Sequence, residues 1–174
     1  MAEFLGPLEL VGDRWVIGDP KRQGGMCLVL TAEALEHHAN GEAEPIEVVP
    51  WSRFMELGIR AAHRAWMATR GGTALTWAAQ TNALDMGRDA CSVHGLVRHP
   101  YDDWAARYSH HRRAYTGAHV YLLSHLVEAV SEAKLLHRLG DPQWLAAVVE
   151  QVAPLPYRRS SVRAIREIVT ATPV

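Results

Sequence analysis

Residues 46–57, "IEVVPWSRFMEL", set a proline and a tryptophan between two strand-like segments. Proline has no backbone N–H, so Pro50 is expected to end the hydrogen-bond ladder of the first strand and to fix a corner. Ser52 is expected to cap a single helical turn, and the alternating apolar residues from Met55 to Ala61 then predict a half-buried strand. The indole of Trp51 is large enough to plug the open end of a curved sheet. The stretch therefore predicts a change of direction within one antiparallel sheet.

Further strands are expected on both sides of this corner. Gly12-Asp13 is a two-residue hairpin signal between two apolar runs, and the short apolar segments resemble buried strands. The expected strands lie at residues 8–11, 14–17, 26–30, 46–49 and 91–98, with another hairpin around Gly71-Gly72 that carries Trp66 and Trp77.

Residues 31–41 allow two interpretations. Thr31 can cap a short helix that Gly41 closes, or residues 34–38 can form a strand that ends at an Asn40-Gly41 turn. We prefer the strand, because Asn-Gly followed by another strand is a strong hairpin signal.

The second half of the chain has a helical pattern. From Trp104 onward, apolar and aromatic residues recur with a period near 3.6, and Gly117 can divide this segment into a shorter and a longer helix. Asp141-Pro142 is a typical helix start, and Ser160 or Ser161 is expected to cap a last helix. We therefore expect an α+β chain, with a β-meander over residues 1–99 and a helical portion over residues 100–174 in one structural unit.

A meander of about seven strands followed by a long helix and two shorter C-terminal helices resembles a bacterial pleckstrin-homology-like (PH-like) barrel. The residues that carry the resemblance are "LVLTAEAL" and "VVPWSRFMELGI", within a match over roughly residues 8–139. The resemblance implies a binding or scaffold module without catalytic residues or a cofactor. The His/Arg-rich segment after the last expected strand and the two added helices depart from the family's pattern. Phosphoinositide binding is not carried over, because Gly12-Asp13-Arg14 supplies one arginine beside an aspartate.

The composition argues against disulfide-rich, secreted and membrane-spanning classes of protein. The chain has 174 residues, a net charge of -1 and two cysteines that form no CxxC pair, so neither a zinc cage nor a disulfide framework is expected. We find no signal-peptide pattern and no apolar run long enough to span a bilayer. The sequence therefore predicts a cytoplasmic protein without membrane insertion.

The segment "YSHHRRAY", residues 108–115, has the most side chains suited to chemistry. On a helix, His111 and His119 would stand two turns apart, which misses the adjacent-turn spacing of a metal pair, and no metal is predicted. Arginines beside aromatic residues can bind phosphates and stack on bases, but the net charge makes nucleic acid an unlikely partner. Cys91 and His94 would point to opposite faces of a strand, so they predict no nucleophile–base pair.

The sequence favours a non-catalytic binding or scaffold protein that acts through protein–protein interaction as a homodimer, and it allows another protein as a second partner. Leu123 and Val127 extend the apolar stripe of the long helix, so replacing both by glutamate is expected to give a folded monomer. The candidate interaction residues are Arg107, His111, Arg112, Arg113, Tyr115, Leu123, Val127, Arg158 and Arg159.

Two alternatives stay open. One is a small enzyme or small-molecule-binding protein with a pocket lined by Trp66, Trp77, His94 and His99. The other is a nucleic-acid-binding regulator that uses the Arg/His-rich segment and the basic C-terminal helix.

Overall fold

The computed structural model describes residues 3–62 and 91–173. The α+β prediction is confirmed: within these ranges there are two antiparallel sheets, of six and three strands, and three α-helices. The strands are β1 (Phe4–Leu5), β2 (Leu8–Val11), β3 (Arg14–Ile17), β4 (Met26–Leu30), β5 (Ala34–Ala39), β6 (Glu47–Pro50), β7 (Phe54–Arg60), β8 (Ser92–Val97) and β9 (Asp102–Arg107). The helices are α1 (Gly117–Glu132), α2 (Pro142–Val152) and α3 (Arg159–Ala171).

The first sheet joins β1 to β6 in chain order. The predicted hairpin at Gly12-Asp13 is confirmed, because Val11 pairs with Arg14 across it. The strand interpretation of residues 34–38 is also confirmed, since β5 pairs with β4 and β6. The expected hairpin around Gly71-Gly72, with Trp66 and Trp77, lies outside the described residues.

The proline corner is present, but it joins the two sheets and does not bend one of them. β6 ends at Pro50, a 3-10 turn covers Trp51–Arg53, and β7 begins the second sheet. The Ser52 cap is wrong, because the turn starts after Pro50 without a side-chain cap. The alternation is wrong at Met55, because a bulge between Phe54 and Glu56 turns Met55 outward.

Trp51 fills the corner, as expected. Its side chain is 5% exposed, and its indole N–H donates to the carbonyl oxygen of Thr31 at 2.8 Å. Gly140 closes the other side of the ring, since a Cβ there would collide with the same carbonyl oxygen and approach the indole nitrogen. Three distant segments of the chain therefore meet at one indole.

The predicted helix from Trp104 is wrong over its first part. Residues 102–107 form β9, in which Trp104 and Ala106 are buried while Asp103 and Ala105 are exposed, the two-residue period of a strand. The strands thus continue beyond residue 99. Helix α1 starts at Gly117, and the hydroxyl of Thr116 accepts a hydrogen bond from the amide of His119.

Of the two helix starts predicted in the C-terminal region, that of α2 is confirmed and the cap predicted for α3 is wrong. Asp141 caps α2, with Pro142 at its first position, as predicted. The predicted serine cap of the last helix is wrong: α3 follows Arg158 without a side-chain cap, and Ser161 donates its hydroxyl to the Pro156 carbonyl at 2.6 Å.

One hydrophobic core connects strands and helices. Leu123 is 1% exposed and Val127 is 4% exposed, because both pack into that core under the sheets. Helix α1 contacts β7 on one side and α3 on the other. The apolar surplus that predicted a dimer through Leu123 and Val127 is therefore covered by the chain itself, and these two residues are not available to a partner.

Side chains connect β9 to the first sheet. The indole N–H of Trp104 donates to the Glu47 carboxylate at 2.9 Å, and the His37 ring bonds to the Arg107 carbonyl at 2.9 Å. No shared ladder joins the two sheets in residues 3–62 and 91–173, so the sheets do not close into a barrel there. In the same ranges, no helix has the length and apolar character that a membrane span requires.

Candidate binding site at the Pro50 corner

The 108–115 segment turns inward, although its sequence resembled an interaction surface. His111 and Tyr115 are 5% and 6% exposed. The His111 Nε2 lies 3.2 Å from the Pro7 carbonyl oxygen, and the Arg113 guanidinium pairs with the Glu9 carboxylate at 2.9 Å. The segment that follows β9 therefore packs against β1 and β2 and is held there by these contacts.

Aromatic contacts also stabilise the packing of residues 108–115 against β1 and β2. The Arg113 guanidinium lies 4.2 Å from the centre of the Phe4 ring, and the rings of His110 and Tyr115 stack at 4.6 Å. Among the predicted residues of this segment Arg112 alone is exposed, and Arg158 and Arg159 are exposed at the start of α3. Arg107 lies on β9, whose side chains alternate between the core and the surface.

Acidification is expected to destabilise the protein through His111. Burial is the main cause that lowers the pKa of His111 in the folded state. The unfolded chain therefore binds protons first as pH falls below about 6.5, so stability is lost from there down to the folded-state pKa, by at most about 1.4 kcal/mol per pH unit for one such histidine. Urea unfolding at stepped pH measures this. His111→Gln should flatten the slope, and equal slopes for this variant and the wild type would contradict the burial of His111.

The sequence predicts no nucleophile–base pair at Cys91 and His94, and the structure shows the surroundings of both side chains. Cys91 is 3% exposed, and burial raises the pKa of its thiol, so it is a protonated, buried group. His94 is half-buried on β8, its pKa lowered chiefly by burial, and His99 is exposed in the turn after β8. Trp66 and Trp77 are outside the described residues, so the predicted four-residue pocket stays a prediction. In the described ranges no three His, Cys, Asp or Glu side chains group as metal ligands.

A cavity of about 510 Å³ opens beside the corner, and we call it the corner pocket. Its lining combines an apolar floor with positive charge, and no described residue in the lining is acidic. The apolar members are Trp51, Phe54, Met55 and Leu136, and the polar members are Ser52, Arg98, Lys134 and His137. This combination suits a ligand that carries both an anionic group and an apolar group.

Arg98 and Lys134, the two cations of the corner pocket, form no ion pair inside the described part of the chain, and His137 beside them forms none either. Arg98 uses its Nε to donate to the Ser52 carbonyl at 2.9 Å, which orients the guanidinium and leaves its two terminal nitrogens for another acceptor. A carboxylate or phosphate entering the pocket would meet oriented donors.

Lys134 has an unusual backbone. It follows α1 with a φ of 60°, a conformation that costs a residue other than glycine roughly 1 kcal/mol. Its charge also lies at the carbonyl end of α1, where the helix dipole favours a cation. On its other side a second cavity is lined by Glu56, Glu128 and Glu132, of which Glu128 pairs with His125 and Glu132 with Arg166. Lys134 thus separates an acidic groove from a basic one.

Sequence reasoning identified the corner but not the pocket. Arg98, Lys134 and His137 are distant from Trp51 in the chain and belong to no motif. The one available signal was that Lys134 is one of two lysines in a chain that otherwise uses arginine. No family model matches this chain, and comparisons with curated proteins and with solved structures find no match either.

Proposed function

We propose that this chain is a non-catalytic binding or scaffold protein that takes an acidic, partly apolar segment of a protein partner in the corner pocket. The observation that carries the proposal is the pair of cations, Arg98 and Lys134, that lie beside an apolar floor without an ion-pair partner among the described residues. An anion alone would leave the exposed Met55 side chain in water, whereas a peptide can place a carboxylate on Arg98 and an aliphatic side chain against Met55.

The PH-like relationship and an intracellular location belong to the same proposal. The antiparallel meander, the corner and the helix packed across both sheets support the relationship. A module of that kind acts by binding, which agrees with the buried, protonated Cys91 and with the inward orientation of the 108–115 segment.

A labelled synthetic peptide that alternates glutamate and leucine is expected to bind the protein in a fluorescence-anisotropy titration. Arg98→Glu and Lys134→Glu should each weaken binding by about tenfold or more, because a like charge replaces an opposite one. Lys21→Glu is the matched control: the only other lysine is exposed and follows β3, at the opposite end of β4 from the corner.

If Lys134→Glu and Lys21→Glu bind the peptide with the same affinity, the corner pocket is not the binding site. Stronger binding of a single-stranded oligonucleotide than of the peptide would favour the nucleic-acid alternative instead.

A further inference from the structure

β6 is an edge strand of the first sheet in residues 3–62 and 91–173. Among the described residues it pairs with β5 alone, and the Trp51 amide continues that ladder by donating to the Glu33 carbonyl at 3.1 Å. Hydrogen-bonded and non-hydrogen-bonded pairs alternate along an antiparallel ladder, so the N–H and C=O of Val48 point away from β5. Val48 therefore presents both backbone groups to an incoming strand.

The outer surface of this edge is apolar. Ile46 is 58% exposed and Val48 is 47% exposed. Glu47 lies on the opposite face, where its carboxylate accepts a hydrogen bond from the Trp104 indole. The Glu47–Trp104 contact therefore does not cover the outer face. An edge strand with two exposed aliphatic side chains is a template for pairing with another chain.

Opposite charges flank this strand. Glu42 and Glu44 are exposed in the hairpin tip before β6, and the corner pocket with Arg98 and Lys134 follows it. Charges of opposite sign at the two ends of one edge strand are complementary to a second copy of the same strand in antiparallel orientation.

We propose that two copies of this chain pair their β6 strands antiparallel about a two-fold axis at Val48. In that register Ile46 lies opposite the partner's Pro50, and the hairpin tip that carries Glu44 lies on the side of the partner's 3-10 turn, where Ser52 lines the corner pocket. Each acidic hairpin tip then meets the other copy's cations. This inference rests on the proposed function, because the hairpin tip, "GEAEPIE", is the acidic, partly apolar segment that the pocket takes.

The proposed pairing closes at two copies. Pro50 has no N–H, and the Ile46 N–H already donates to the His37 carbonyl at 2.7 Å, so the new ladder consists of the two hydrogen bonds between the Val48 residues and uses the β6 edge of both copies. The result is a symmetric dimer with one continuous sheet across the axis, and no edge of β6 is left for a third copy.

Sedimentation of the full chain should give a mass near twice 19.3 kDa at concentrations where Val48→Pro gives a monomer. Proline removes the outward N–H without removing a donor to β5, and Val48→Lys provides a second variant if the first folds poorly. Glu44→Lys and Lys134→Glu should each weaken the dimer roughly tenfold or more, and the two changes together in one chain should restore it. Asp13→Lys, in the exposed β2–β3 turn, is the control.

The outcomes separate this inference from the proposed function. A wild-type monomer throughout, or a charge-swapped chain that stays monomeric, overturns the β6 dimer. The glutamate–leucine peptide is then titrated against the Val48→Pro monomer, whose pocket is open. If the chain is a monomer and binds the peptide through Arg98, the proposed function stands and the dimer is rejected. If the wild-type chain is a dimer and the monomeric variant does not bind the peptide, the dimer stands and the corner pocket is rejected as a peptide site.

Discussion

Trp51→Ala is expected to lower the free energy of unfolding by about 3–5 kcal/mol, the usual cost of emptying a buried aromatic site. The ring is 5% exposed at the junction of both sheets, and its loss also leaves the Thr31 carbonyl without the indole donor. Gly140 approaches the Thr31 carbonyl and the indole nitrogen closely, so emptying the site also removes contacts to both of these segments. Urea unfolding of both proteins, compared at equal m-value, measures the loss.

Trp51→Phe is the matched control for that experiment. Phenylalanine keeps much of the ring but not the N–H, so its cost should be smaller and close to that of one buried hydrogen bond, about 1–3 kcal/mol. A loss below about 1 kcal/mol for the alanine variant would show that the corner does not depend on this ring.

Leu123→Glu is expected to unfold the protein rather than to give a folded monomer. The side chain is 1% exposed within the core, and a carboxylate there must either lose its hydration or become protonated. The expected cost is above about 4–5 kcal/mol, a large part of the stability of a domain this size. Loss of the far-ultraviolet helical signal and of a cooperative melting transition is the measurement.

Gly117→Glu controls for the glutamate itself. Gly117 is the first residue of α1, with no atom near the position of an added Cβ, and the helix dipole favours an acidic residue there. It should melt at or above the wild-type temperature. A folded, cooperative Leu123→Glu variant would contradict the burial of this residue and would restore the helix face as a surface for association.

Much of the first sheet was predictable, because its signals are local. Gly12-Asp13 and Asn40-Gly41 specify hairpins within a few residues, and Pro50 acts on its own backbone. Residues 102–107 were not predictable in this way: Trp104 and Tyr108 are four residues apart, which agrees with a helical period and also with one face of a strand. Only the pairing of β9 with β8 separates the two possibilities.

The candidate site was less predictable than the fold. The direction in which His111 points depends on the carbonyl of Pro7, and the corner pocket depends on where Lys134 lies relative to Arg98. Both are contacts between residues far apart in the chain, which neither periodicity nor spacing encodes. The burial of Leu123 could not be predicted either, because it depends on contacts with distant segments. The periodicity of a helix shows how wide its apolar face is but not what covers that face.

The chain-order pairing of β1 to β6 also keeps the entropic cost of closing the first sheet low. Loop-closure entropy grows with the logarithm of loop length, and every connection in the first sheet is short. The longest connection, from β3 to β4, closes residues 18–25, and the step from β5 to β6 closes residues 40–46. Local pairings of this kind form faster than pairings between distant segments. The six-stranded sheet can therefore form from neighbouring segments, whereas the corner at Trp51 and the packing of α1 on β7 need segments that are far apart in the chain.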